Sequence, residues 1–316
     1  EFELSNQCNL ECVMCNGSFS SSIRKNREKL PPIISPYNEK FVDELEEFIP
    51  HLTDAKFLGG EPFMIDVYLD IWERIRKINP NIRIHITTNG TFLNTRIKNL
   101  LAGLRAGIIL SIDSVSKDTY EKIRVNGNYE KVMENLNYFI EYTRQKNTFI
   151  SMAACPITYN WKELPQMLEF CLSKNIALYF NVVFTPFELS LRELPTGELQ
   201  EVISLLENYK LPEVTGNPES PRNLSIKAYV DFIHLLKGWL TERQLDEKNR
   251  VKEITSQEFK EVAPAESMEL LLQEISKTIH RQMELEKDGF TEEQRLLQNR
   301  FTELLMSSPK GKVVQS

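Results

Sequence analysis

The chain has 316 residues, with 38 lysines and arginines against 45 aspartates and glutamates, a formal net charge of -7. Hydrophobic residues at 41% and charged residues at 26% are ordinary globular usage and exclude a disordered chain, a collagen-like repeat or a coiled-coil rod as readings of the whole. The acidic balance gives no general attraction to nucleic acid or anionic lipid. No apolar run approaches the roughly 20 residues that a membrane helix needs, and no leader-like segment opens the chain. A soluble, cytoplasmic protein without nucleic-acid or membrane partners is expected. Because the chain opens on Glu1 and enters a strand-like run at once, a piece of a longer protein is expected.

The first 188 residues alternate β-rich runs with stretches of helical periodicity. Residues 2–5 read as a first strand, and 38–52 as a helix with Phe41, Val42, Leu45 and Phe48 on one face. Strand 55–58 ends in Gly59-Gly60-Glu61-Pro62 and leads to helix 64–78; strand 83–87 ends in Thr88-Asn89-Gly90 and leads to helix 93–104. Strand 107–112 ends in Asp113-Ser114, a helical region in two parts around Gly127 follows, and strand 148–154, helix 161–173 and strand 177–184 complete the series.

Such alternation predicts an α/β fold with a parallel sheet. Six units suit a partial (β/α)6 barrel of the TIM type, with a doubly wound sheet as the alternative. Beyond residue 188 only helical periodicity remains, which predicts a core barrel over 1–188 and a mostly α-helical C-terminal extension over 189–316. Pro212, Gly216, Pro218 and Pro221 place a linker near 210–224. Within the extension, 198–208 reads as a helix, Leu271, Ile275, Ile279 and Met283 share one helical face, Thr291 with Gln294 reads as a capping box, and the tail 309–316 as frayed.

Five cysteines are present, and three of them, Cys8, Cys12 and Cys15, fall directly after the first strand in the spacing C-x3-C-x2-C. Thiols this close together more often hold metal than form disulfides. Structural zinc sites take four ligands, commonly in two pairs, and ordinary iron–sulfur clusters also take four cysteines. Three thiolates on a four-iron cluster would leave one iron open for a substrate or cofactor. On spacing alone, zinc and three packed free thiols stay open beside the cluster.

C-x3-C-x-Φ-C, with Met14 as the apolar Φ, resembles the signature of the radical S-adenosylmethionine (SAM) enzymes. The resemblance covers about residues 1–188. It implies a 4Fe-4S cluster on Cys8, Cys12 and Cys15, with SAM on the fourth iron. It also implies reductive cleavage of SAM to a 5'-deoxyadenosyl radical that abstracts hydrogen from a substrate.

Further motifs fall in the family's order. Gly59-Gly60-Glu61 resembles the motif that binds the SAM amino group, with Gly60 and Glu61 in that role. Thr88-Asn89-Gly90 resembles a SAM-flanking strand end, and Ser111 with Asp113 a pattern facing the ribose or carboxylate. Arg124 resembles an arginine near the SAM carboxylate, and Met14 is a neighbour for adenine. The family's G-x-I-x-G contact is missing from the fifth strand, which leaves adenine otherwise unassigned.

The sequence style resembles members with twitch or SPASM auxiliary modules, and implies an auxiliary iron–sulfur cluster in the full-length parent. The resemblance also implies a low-potential electron donor such as flavodoxin or ferredoxin. It puts a peptide or protein first as substrate, with a small molecule or sugar as the alternative. A non-catalytic metal- or cluster-binding module and an electron carrier with a fully ligated cluster remain as rivals. Cys155, at a strand's C-terminal end, is the one further catalytic candidate, in a substrate or radical-relay role; Cys171 reads as a buried inert thiol. His51, His85, His234 and His280 are too scattered for a metal pair.

Overall fold

Five short runs, each with apolar residues on one face and β-branched residues in the three central ones, pair side by side: β1 Asp54–Phe57, β2 Arg83–Thr88, β3 Ala106–Ser111, β4 Ile150–Ala154 and β5 Ala177–Phe180. A computed structural model describes residues 1–256, with side chains over 1–245. All four pairings are parallel, and the strand order β1-β2-β3-β4-β5 is that of the sequence. A doubly wound sheet reverses its order at a switch point. This sheet has no reversal, so it is an open partial barrel. One face of each strand is apolar: Ala55 and Phe57, Ile84 and Ile86, Ile108 and Leu110 are buried, while Lys56, His85, Thr87, Ile109 and Ser111 alternate with them and are less covered.

Helices cover the apolar face. α1 is Ser21–Asn26, α2 Glu39–Leu45, α3 Asp66–Ile78, α4 Thr95–Ala102, α5 Lys117–Ile123, α6 Tyr129–Lys146 and α7 Leu164–Lys174. Their buried stripes include Tyr68, Trp72 and Ile75 of α3, Leu136 and Phe139 of α6, and Met167, Leu168 and Cys171 of α7, all in one cluster with the strands. Phe57 packs edge-on to Tyr68 and Trp72 at centroid distances of 5.2 and 5.4 Å.

The strand expected at residues 2–5 is reduced to one parallel bridge, Phe2 to Phe57. The Phe2 amide donates to the Lys56 carbonyl at 2.7 Å and the Leu58 amide to the Phe2 carbonyl at 3.0 Å. The Leu4 amide then donates to the Tyr68 hydroxyl at 2.8 Å, so a side chain replaces the sheet partner and the ladder stops. The sixth unit therefore persists in position but not as a strand. Helix 38–52 is broken into α2 and a 3-10 turn, Ile49–His51, in which Pro50 has no N–H to continue an α-helix. The last strand stops at Phe180 rather than 184, because its partner β4 ends at Ala154.

The domain boundary expected at 188 is not a boundary in packing. α8, Thr196–Asn208, and α9, Pro221–Ser256, are separated by the expected irregular linker. Leu199, Val202 and Leu206 of α8, and Tyr229, Phe232, Leu236 and Trp239 of α9, join the barrel's own core. Phe232 meets Phe180 of β5 at 5.0 Å, and the Ser225 hydroxyl accepts the Leu178 amide at 2.9 Å. One compact unit thus runs from Glu1 to Leu245. Helical texture alone does not reveal that a helix caps the neighbouring strand's open edge. The helical face expected at 271–283, the capping box at Thr291 and the tail 309–316 lie outside the described residues. Among the described residues, no helix is long and apolar enough to cross a membrane.

Candidate active site

The cysteine loop is held at both ends and along its length. The Glu11 amide donates to the Val125 carbonyl at 3.0 Å and the Val13 amide to the Ile123 carbonyl at 2.9 Å, which stitch the loop to the end of α5. The hydroxyl of Ser20, the N-cap of α1, donates to the Leu10 carbonyl at 2.6 Å, and that of Ser22 to the Cys8 carbonyl at 2.8 Å. A turn with the Cys15 amide on the Cys12 carbonyl at 3.0 Å brings the last two cysteines back on one another. All three line one cavity of about 430 Å3 at the C-terminal ends of the strands, the end where barrels of this type carry their chemistry.

Of the residues singled out by sequence, Met14, Gly59, Gly60, Asn89, Ser111, Arg124 and Cys155 line that cavity with the three cysteines. Glu61, Thr88 and Asp113 do not; they stand behind its wall. The Glu61 carboxylate is fully buried and accepts from the Thr88 hydroxyl at 2.7 Å, the Asn89 amide at 2.7 Å and the Phe63 amide at 3.1 Å. It therefore binds the end of β1 to the end of β2 and orients Asn89, whose own side-chain amide donates to Asn9 at 3.1 Å and lies 3.8 Å from the Cys8 sulfur.

Thr88 shares the covered face of β2 with Ile84 and Ile86; Thr87, unremarked in the sequence reading, is the one on the cavity. The period-2 alternation of β2 carried that signal, since Arg83, His85 and Thr87 share a face. Glu3, Phe19 and Thr185 also reach the cavity, and no local pattern marks them.

Asp113, fully buried, lies 2.8 Å from the Arg124 guanidinium nitrogen Nε, and its other oxygen accepts the Cys155 amide at 2.7 Å. The ion pair is close but its N–H is not aimed at the oxygen, so Asp113 Oδ2 and Arg124 Nε have no aligned hydrogen bond. Another guanidinium nitrogen, Nη1, donates to the Cys12 sulfur at 3.7 Å. Arg124 is thus suspended between a carboxylate and a cysteine. Cys171 is elsewhere, buried in α7 at 3.9 Å from the Met152 sulfur.

Burial dominates the titration of this site. It pushes the Cys12 thiol up to about 12, although Arg124 pulls the other way, and it raises Cys8 and Cys15 as well. Burial is the largest influence on Arg124 and opposes its charge, but Asp113, Cys12, Tyr120 and Cys155 together outweigh it and hold the guanidinium charged. Asp113 is raised by burial against the pull of Arg124.

Glu61 is pushed up to about 7 from an ordinary 4.5 by burial, which outweighs its three hydrogen bonds. A raised carboxyl stabilises the fold fully below its unfolded value, and the contribution is lost as the pH rises through the folded value. Glu61 should therefore lower apoprotein stability progressively as pH rises from 4.5 through about 7. Thermal unfolding of the wild type and Glu61→Gln across that range should show a shallower pH slope in the variant.

Gly59 and Gly60 have φ of +83° and +47°, a region that favours glycine. A Cβ on Gly60 would also overlap the Gln7 carbonyl, which accepts the Glu61 amide at 2.7 Å. Gly60→Ala should therefore destabilise the fold by about 1–3 kcal/mol and displace the peptide next to Cys8. Denaturant melts would measure the first effect and the reactivity of Cys8 toward a thiol reagent the second.

Among the described residues, no group of three or more histidine, cysteine, aspartate or glutamate side chains converges as a cage for one ion. Three thiols spaced around a shared cavity instead suit a polynuclear cluster, in which each iron takes its own sulfur. Arg124 and Asn89 add a cation and an amide donor beside them. The donor set fits a 4Fe-4S cluster with a polar, partly anionic co-ligand.

Fold and site together define a class: a parallel partial barrel with a three-cysteine cluster loop at its C-terminal rim. The family model of the Radical SAM superfamily matches residues 2–171, and the chain belongs to that superfamily. It is 29% identical over 196 residues to a probable GTP 3',8-cyclase of Methanocaldococcus jannaschii, covering 60% of this chain and 59% of that protein. It is 27% identical over 139 residues to the GTP 3',8-cyclase of Lactiplantibacillus plantarum, covering 42% and 39%. The chain thus spans well under two thirds of either relative. Streptococcus suis SuiB bound to S-adenosylmethionine matches in structure with a TM-score of 0.48 and 15% identity, over 66% of this chain and 46% of that one.

Proposed function

We propose that the barrel holds a 4Fe-4S cluster on Cys8, Cys12 and Cys15 with SAM beside it, and that it acts on a small molecule of the nucleotide class. The observation that carries the reading is the single cavity shared by three thiols, the Gly59-Gly60 backbone, Asn89, Ser111 and the Arg124 guanidinium. The peptide substrate put first on sequence style finds no support among the curated relatives described above, whose named activity is on GTP. The small-molecule alternative is the better supported.

Cluster and SAM, when bound, supply one-electron cleavage of the sulfonium and hydrogen abstraction. The chain's own residues do the rest. Arg124, held charged by Asp113, offers its guanidinium to a carboxylate, for which a planar fork is well suited. Asn89 is aimed by Glu61, and Ser111 and Thr87 add hydroxyls on the inner face of the strands. Val13, Met14 and Cys155 pack with Ile123, Ile157, Val183 and Leu189 into a separate apolar cluster along one side, which excludes water from a reactive centre. Cys155 contributes its backbone amide to fix Asp113, and its thiol faces the cavity.

The test is electron paramagnetic resonance on anaerobically reconstituted, dithionite-reduced protein, with and without SAM, followed by measurement of 5'-deoxyadenosine. A 4Fe-4S signal altered by SAM is expected, with 5'-deoxyadenosine formation stimulated by nucleoside triphosphates and not by peptides. A signal indifferent to SAM, or zinc in place of iron, would overturn the chemistry. Stimulation by peptides alone would overturn the substrate class.

A further inference from the structure

The peptide between Gln7 and Cys8 separates two cavities. On one side lies the cavity that the three thiols share. On the other is a second cavity of about 570 Å3, lined by Gln7, Ser21, Ser22, Arg24, Lys25 and Ile33 among others. The hydroxyls of Ser21 and Ser22 both donate to the Cys8 carbonyl, at 3.1 and 2.8 Å, so the outer cavity's wall is bonded directly to a cluster ligand's backbone.

This outer face departs from the rest of the molecule in charge. The chain carries a net charge of -7, yet α1 and the turn after it bring Arg24, Lys25, Arg27 and Lys29 within six positions, against Glu28 alone. Lys25, Arg27 and Lys29 are exposed, and among the described residues none of these cations forms an ion pair. Arg27 instead donates to the Glu11 and Cys12 carbonyls, each at 3.4 Å, so the basic patch touches the cysteine loop as well. Glu28 is engaged, accepting the Gly17 amide at 2.7 Å. Beside the cations, Leu30 and Ile33 are 47% exposed and Ile34 is 90% exposed, an apolar strip next to charge.

We propose that this face, α1 with residues 30–34, docks an acidic low-potential electron-transfer protein that reduces the cluster from behind the cysteine loop. The inference rests on the cluster-binding reading above. Charge complementarity selects the partner: a basic patch on an acidic protein repels little of an acidic partner at short range and steers its approach. A small apolar strip rimmed by cations suits the brief, small interface of redox encounters. One electron leaves the partner's reduced flavin or iron–sulfur centre and enters the cluster; no bond forms or breaks. The side facing SAM is left free for the substrate.

The test measures association of the reconstituted protein with two probes, an acidic flavodoxin and an acidic 2Fe-2S ferredoxin, by stopped-flow fluorescence at increasing salt. Lys25→Glu/Lys29→Glu is compared with Lys77→Glu/Lys174→Glu, an equal charge change in the last turns of α3 and α7 at the other end of the barrel. For at least one probe, wild-type association should slow as salt rises. The first variant should associate about tenfold more slowly and lose the salt dependence, and the second should behave as wild type. The dithionite-reduced cluster signal should be the same in all three proteins.

Binding of neither probe by wild type, salt-independent binding, or equal slowing by both variants would overturn the docking face. A wild-type protein with no cluster signal under dithionite would instead overturn the cluster reading, and this inference with it.

Discussion

Cys12→Ala is expected to abolish cluster loading while leaving the fold intact. Cys12 is the most buried of the three loop thiols, and burial raises it to about 12. A buried thiol that resists ionisation stabilises nothing by its charge, so its removal should change apoprotein unfolding little. On the proposed cluster reading it is indispensable, since of the three loop thiols only Cys8 and Cys15 would remain beside the cavity. Iron and sulfide content after anaerobic reconstitution should fall to background, and the reduced-cluster signal should vanish. Cys155→Ala serves as the contrast, because Cys155 lines the same cavity while its backbone amide, which the variant keeps, holds Asp113. It should keep both iron and signal. Loss of the cluster in Cys155→Ala as well would make Cys155 a fourth ligand and favour the electron-carrier reading over the open-iron one.

Arg124→Met is expected to destabilise the protein by about 3–5 kcal/mol, the usual result of removing one partner of a buried ion pair. Asp113 is fully buried and would keep only Cys155, through its backbone amide and its thiol, beside its charge. Adding Asp113→Asn should recover most of that loss, because the amide oxygen still accepts from Cys155 while the uncompensated charge is gone. SAM binding should not recover with it, since the guanidinium beside Cys12 is still missing. Chemical denaturation of the single and double variants separates the two roles, and equilibrium binding of SAM to the reconstituted double variant decides between them. A double variant that binds SAM like wild type would leave Arg124 with a structural role only.

Proximity in sequence explains what was legible without coordinates. The cysteine loop is a local motif, three thiols within eight positions; spacing alone leaves zinc and free thiols open, and the resemblance of the whole motif points to a cluster. Period-2 and helical alternation likewise place five of the six expected strands and the helices between them, since both signals are written within a few residues. The sequential βα order also points to a barrel. The strand parity that assigns Thr87 to the cavity and Thr88 to Glu61 is local too, and a two-residue period is enough to find it.

Long-range competition for the same groups decided the rest. Tyr68, 64 positions away, takes the Leu4 amide and ends a strand that residues 2–5 would otherwise form. Asp113 and Arg124 look from their positions like two separate ligand contacts, and only the fold turns them into an ion pair with one member behind the wall. Glu61 looks like a ligand beside two glycines, and its burial makes it the clamp between two strand ends. The helices after residue 188 look like an appendage until Ser225 and Phe232 are seen to close the edge of β5. By itself the sequence determined the cluster loop, the α/β alternation and the superfamily. Only tertiary structure decided which polar residues face the cavity and which are spent holding it, because burial and partnership are properties of segments brought together from far apart in the chain.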